Sequence, residues 1–194
     1  MENVTMHSLI FRQFILLVIT VGYLSTSEAK TYALVADGLI DGKANNVLQD
    51  KAVIVTGNQI TAIINIDHIP KGAIKIDLPG TTLMPGMINA HEHPLLYKSD
   101  YQNAHLQASS AYKALLGLKN LQRLLRAGWT TIRVMGDGDV YYANQDIRKV
   151  IDSGVFIGPR LTGAAHYISI TGGGGDVNYF SPEQTVIADG LIAD

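Results

Sequence analysis

The chain has 194 residues, 47% of them hydrophobic and 16% charged, which excludes a disordered polypeptide and supplies enough apolar material for a substantial core. Its 15 Lys and Arg against 17 Asp and Glu give a net charge of −2, so no basic face for nucleic acid is implied. The absence of cysteine excludes disulfides and a lipid-modified cysteine anchor.

Residues 1–29 read as an export signal. Arg12 precedes the uncharged, mostly apolar run Phe14–Leu24, and Ser27-Glu28-Ala29 offers a small-x-small cleavage site. That run is too short to span a bilayer, so the expectation is a protein released after cleavage near Ala29, periplasmic or extracellular, with no stable membrane anchor.

Residues 30–84 are β-rich and punctuated by turns. Ala52–Thr56 and Ile60–Ile64 flank Gly57-Asn58-Gln59, a hairpin signal, while Tyr32–Ala36 and Ile74–Leu78 supply further strands. This segment is expected to be the N-terminal part of a small β-sandwich module.

From Pro85 the pattern changes to alternating strand and helix. Met84 to Ala90 is a strand-like apolar run that ends in His91-Glu92-His93, and Pro94 stops it from continuing as a central strand. Ala111, Leu115, Leu118, Leu121 and Leu125 recur at helical spacing, with Gly128 as a left-handed cap. Thr130–Met135 reads as a second strand. Asn144 is expected to cap a helix whose apolar face is Ile147, Val150 and Ile151, ending at Gly154, and Arg160–Ala164 is a third strand. A β-α-β-α-β series is the start of a parallel α/β barrel. A (β/α)8 barrel takes roughly 250 residues, whereas residues 85–194 supply about three strand–helix units, so the barrel is expected to be incomplete in this chain.

The chemistry concentrates at His91 and His93. Residues i and i+2 of a strand point to one face, so two imidazoles can converge on one point while Glu92 turns away. Imidazole nitrogens so placed at the carboxyl end of a barrel strand are what a metal site requires. Asp137 and Asp139, in Gly136-Asp137-Gly138-Asp139, read as turn chemistry. Thr171–Asp176 lacks the Lys and helix-opening pattern of a phosphate loop and reads as a mobile, glycine-rich loop over the barrel mouth.

Pro85-Gly86-Met87-Ile88-Asn89-Ala90-His91-Glu92-His93 resembles the first-strand signature of the metal-dependent amidohydrolase superfamily. The resemblance extends through Ala127–Arg133, Gly158-Pro159-Arg160 and Ala165–Asp176, and is greatest to the imidazolonepropionase-like branch, which includes secreted Xaa-Pro dipeptidases. Some relatives have His where this chain has Gly174. The resemblance implies that His91 and His93 bind a divalent ion, usually zinc, in a site of one or two ions. It also implies that His166 contacts substrate, and that a Lys or Glu, two further His and an Asp come from later strands. None of those later motifs occurs in residues 95–194. The implied activity is metal-assisted hydrolysis of a C–N bond in a small molecule or short peptide, by the intact protein of which this chain is an N-terminal fragment. The competing expectation is an inactive remnant, or a module that pairs its exposed sheet edge with another polypeptide.

Overall fold

The computed structural model describes residues 29–139, 141–176 and 191–192. The expected export signal, apart from Ala29, lies outside them. The chain forms two compact units that divide between Met84 and Pro85.

The first unit is one four-stranded sheet, built from β1 (Thr31–Leu39), β2 (Lys51–Thr56), β3 (Gln59–Asn65) and β4 (Ile74–Leu83) in the order β3-β2-β1-β4. The β2–β3 hairpin turns at Gly57, whose φ of +62° suits glycine. β1 pairs antiparallel with β2 and parallel with β4. Ala33, Ala52 and Ile54 are buried, and Val35, Ala62, Ile64, Ile69 and Ala73 pack around them. Among the described residues this unit supplies a single layer. The sequence ends the fourth strand at Leu78, yet β4 continues through Pro79 and Gly80 to Leu83. It can do so because it is an edge strand, where proline's missing donor is tolerated, and because Asp37 Oδ2 accepts the Gly80 amide (2.9 Å) where the register shifts.

The second unit is strand–helix alternation. In chain order come β5 (Met87–Glu92), α1 (Tyr101–Gln107), α2 (Ser110–Arg126), β6 (Trp129–Met135), α3 (Ala143–Asp152) and β7 (Arg160–Ala164). β5, β6 and β7 are parallel neighbours in that order, so α2 and α3 lie on the crossovers between them. The short β8 (Ile168–Ser169) pairs in parallel with β9 (Leu191–Ile192). Leu95, Leu121, Ile132, Ala143, Ile147 and Leu161 form the core, with Trp129 and Leu118 against it.

Helix α2 begins where Ser109 Oγ accepts the Tyr112 amide (3.2 Å) and ends before Gly128, at φ +94°. Its inward face differs from the leucine stripe: Lys113, Gly117 and Leu121 are buried, while Leu115 is 68% exposed. A Cβ on Gly117 would lie 2.8 Å from Leu95 Cδ2 and 2.9 Å from Ile147 Cδ1, so the helix packs closely through a glycine that apolar periodicity does not count. The seven-residue α1 has no apolar repeat to reveal it; Asp100 caps it by accepting the Asn103 amide (3.4 Å).

Candidate metal centre at the strand ends

The carboxyl end of β5 carries the histidine pair through a local irregularity. Asn89 pairs with Ile132 and Glu92 with Val134, so three steps on β5 match two on β6. Such a bulge re-aims side chains and breaks simple alternation. Even so, the two rings meet: His91 Nε2 and His93 Nε2 are 3.2 Å apart, with the rings edge-to-face at 68°. His91 is exposed and His93 half-buried. Glu92 is tied locally, accepting from Asn89 Nδ2 (2.7 Å) and from the His93 amide (3.2 Å). With Asn120, Arg123 and Leu124 of α2 it lines a cavity of about 370 Å³.

His93 is oriented from behind. Its Nδ1 lies 2.6 Å from the carbonyl oxygen of Gly136, and a carbonyl only accepts, so Nδ1 carries the proton. With Nδ1 as the donor, the neutral form of the ring has its lone pair on Nε2. Two imidazole nitrogens on one tetrahedral zinc, at about 2.0–2.1 Å each, stand roughly 3.3–3.4 Å apart, close to the 3.2 Å observed. The pair, with its backbone-anchored Nδ1–H, fits a divalent cation. Among the described residues no group of three or more His, Cys, Asp or Glu gathers to hold a metal.

Gly136 must be glycine, because its φ is +107° and a Cβ would lie 2.4 Å from the Tyr167 amide nitrogen. The residues after it are not exposed turn chemistry. Asp137 and Asp139 are 1% and 2% exposed. Asp137 accepts from the Leu95 amide (3.3 Å) and from Asn144 Nδ2 (3.0 Å), and its own amide donates to the Ala165 carbonyl (3.2 Å). Burial pushes its carboxyl up to about 7, against those two hydrogen bonds. Asp139 pairs with the buried Lys113 at 2.9 Å and accepts from Ser110 Oγ (2.8 Å) and the Ala143 amide (3.0 Å). Burial alone would raise the Asp139 pKa, but these donors, Lys113 foremost, hold it below the ordinary carboxylate value. His105, 4% exposed, is lowered to about 4 by burial and then by the Lys113 charge.

Asn144 does not cap α3. The cap position is Tyr142, in a left-handed conformation at φ +61°, and Asn144 lies buried in the first turn. Its side chain faces inward because Nδ2 bridges Asp137 to the Ala165 carbonyl (2.9 Å).

His166 follows β7, and its ring contact is with Tyr142, edge-to-face at 4.6 Å. Its Nδ1 is buried with no hydrogen-bond partner among the described residues. The glycine-rich segment is a series of tight turns: Asp176 Oδ2 accepts the Gly172 amide (2.8 Å), Ser169 Oγ the Gly175 amide (3.3 Å), and Tyr101 Oη donates to the Gly174 carbonyl (3.3 Å).

Residues 82–192 match the model of the Amidohydrolase family. The ochratoxinase of Aspergillus niger is 26% identical over 159 residues, which cover 79% of this chain and 32% of that protein. A solved Xaa-Pro dipeptidase with methionine bound in its active site is 27% identical, with a TM-score of 0.69 over 85% of this chain and 41% of its own. The solved A. niger ochratoxinase, at 22% identity, shares the fold with a TM-score of 0.65 over 87% of this chain and 42% of its own. The chain thus spans 32% of the curated relative and 41% of the dipeptidase.

Proposed function

This chain belongs to the amidohydrolase family, and from that premise we propose that the intact protein is a metal-dependent hydrolase of C–N bonds, acting on a dipeptide, short peptide or related small amide. The observation that carries the reading is the 3.2 Å approach of His91 Nε2 and His93 Nε2, with His93 Nδ1 bound to the Gly136 carbonyl. Members of the family generally use divalent metals, and zinc is the ion that a pair of imidazoles suits. Similarity to a Xaa-Pro dipeptidase and to ochratoxinase supports an amide or peptide substrate. The parallel order β5-β6-β7, with a helix on each crossover, supports a (β/α)8 barrel that these three strands begin.

In this reading His91 and His93 hold the cation. When bound, a divalent ion there supplies Lewis acidity, polarising a carbonyl and lowering the pKa of water toward neutrality. The Gly136 carbonyl keeps the proton on His93 Nδ1 and so keeps Nε2 available as a ligand. His166 and Tyr142, side by side after β7 and at the start of α3, offer an aromatic surface and an imidazole to a substrate.

The test is hydrolysis of an Xaa-Pro dipeptide series by the intact enzyme and by its His91→Ala/His93→Ala variant, with metal content measured on both. The double variant should lose its bound ion and fall to the rate of chelator-treated wild type. Unchanged hydrolysis in the variant would refute the assignment.

A further inference from the structure

We propose that Asp137 is a positioning residue for His93: it locks the loops after β5, β6 and β7 together, and thereby fixes the Gly136 carbonyl that sets the His93 tautomer. The geometry does not depend on the function proposed above; its consequence for metal affinity rests on that reading.

The carboxylate and the amide of Asp137 each tie one loop to another. Its carboxylate accepts from the Leu95 amide, two residues after His93, and from Asn144 Nδ2 in the first turn of α3. The same Nδ2 donates to the Ala165 carbonyl (2.9 Å) and approaches that of Ala164 at 3.3 Å, both at the end of β7. The Asp137 amide donates to Ala165 as well. The residue just before Asp137 is Gly136, whose carbonyl takes the His93 Nδ1–H bond at 2.6 Å.

These contacts have a direct consequence for the imidazole. A carbonyl held at that point admits only the Nδ1–H form of a neutral His93, whereas a free histidine in water favours the other tautomer. If the loop shifts, the proton redistributes to Nε2 and the ligand lone pair is lost from that nitrogen. Hydrogen-bonding partners behind a metal-binding histidine are typically worth about 10–100-fold in metal affinity. Among the described residues the buried carboxyl has no cation of its own, since Lys113 pairs with Asp139, so its orientation depends on the Leu95 and Asn144 donors.

The experiment uses the purified enzyme with ¹⁵N-labelled histidine, first metal-free and then titrated with zinc against a competing chelator. Asp137→Asn keeps the side-chain shape but turns an NH2 toward one of two donors. The wild-type His93 ring should show a protonated Nδ1 and a bare Nε2. In the variant that signature should move toward mixed tautomers, and zinc affinity should fall about 10–100-fold. Asn144→Ala, which removes the bridge to Ala165 and leaves the carboxylate in place, should move both readouts in the same direction and by less; it also decides the matter if Asp137→Asn does not fold. Leu121→Ala, which removes core packing without touching a polar contact of these loops, is the control for mere destabilisation, and should lower the melting temperature while leaving the His93 signature intact. Folded Asp137→Asn or Asn144→Ala protein with wild-type tautomer and affinity would overturn the proposal. A wild type that binds no zinc, combined with a shifted tautomer in Asp137→Asn, would refute the metal reading and sustain the positioning role.

Discussion

The two units of the chain solve burial in opposite ways. The sheet unit closes on small and aliphatic side chains, Ala33, Ala52 and Ile54, and no charged group is buried among its described residues. The strand–helix unit has a larger aliphatic core, yet beside it lie His105, Lys113, Asp137, Asp139 and Asn144, each no more than 4% exposed. Burying ionisable groups costs free energy unless every one is paired or hydrogen-bonded, and the apolar sheet shows that this chain can fold a unit without doing so. The polar cluster is therefore best understood by its location: it fastens the loops at the carboxyl ends of β5, β6 and β7, where the histidine pair sits.

The contrast can be broken most forcefully at Lys113. Lys113→Met preserves side-chain volume but leaves Asp139 without its cation and the Gly138 carbonyl without its donor, so stability should fall by about 3–5 kcal/mol. Urea unfolding followed by the fluorescence of Trp129, the one tryptophan in the chain, reports on this unit directly. A loss below about 1 kcal/mol would mean that the cluster behaves like exposed pairs, and the contrast would fail.

A smaller effect separates the two ionisable groups by pH. His105 has a folded pKa of about 4 against 6.5 unfolded, so between those values the unfolded chain binds more protons and stability falls as pH drops. Asp137 works the other way: with a folded pKa of about 7 against 3.8, its contribution is present at low pH and lost as pH rises toward 7. The opposing slopes make the difference between wild type and His105→Asn the useful quantity. Between pH 7 and pH 5 the wild type should lose about 1–2 kcal/mol relative to the variant. Parallel pH profiles would show that His105 is not held neutral by burial.

Legibility from sequence followed the range of the interactions. Strands β1 to β3, β6 and β7 were readable because their signals are local: alternation, glycine turns and short apolar runs. The β5 histidines were readable for the same reason, since the strand run, His91-Glu92-His93 and Pro94 are contiguous. The extension of β4 past Pro79 was not, because it depends on Asp37, 43 residues away from Gly80. Lys113 and Asp139 lie 26 positions apart and become partners only once α2 has packed against the loop after β6. Asp137 and Asp139 looked like turn residues for lack of any local sign that they are buried. Asn144 looked like a cap because Asn favours caps, whereas tertiary hydrogen bonds draw it inward to Asp137. Lys113, four residues before Gly117 and eight before Leu121, shares their buried side of α2, and that spacing is a hint of a buried charge.

The central proposal is that His91 and His93 share one divalent cation, and anomalous diffraction from crystals of the protein grown with zinc tests it most directly. The account predicts a single strong peak within about 2.0–2.1 Å of both Nε2 atoms, with His93 Nδ1 still bound to the Gly136 carbonyl. Zinc bound elsewhere, or no peak between the two imidazoles at saturating metal, would contradict it.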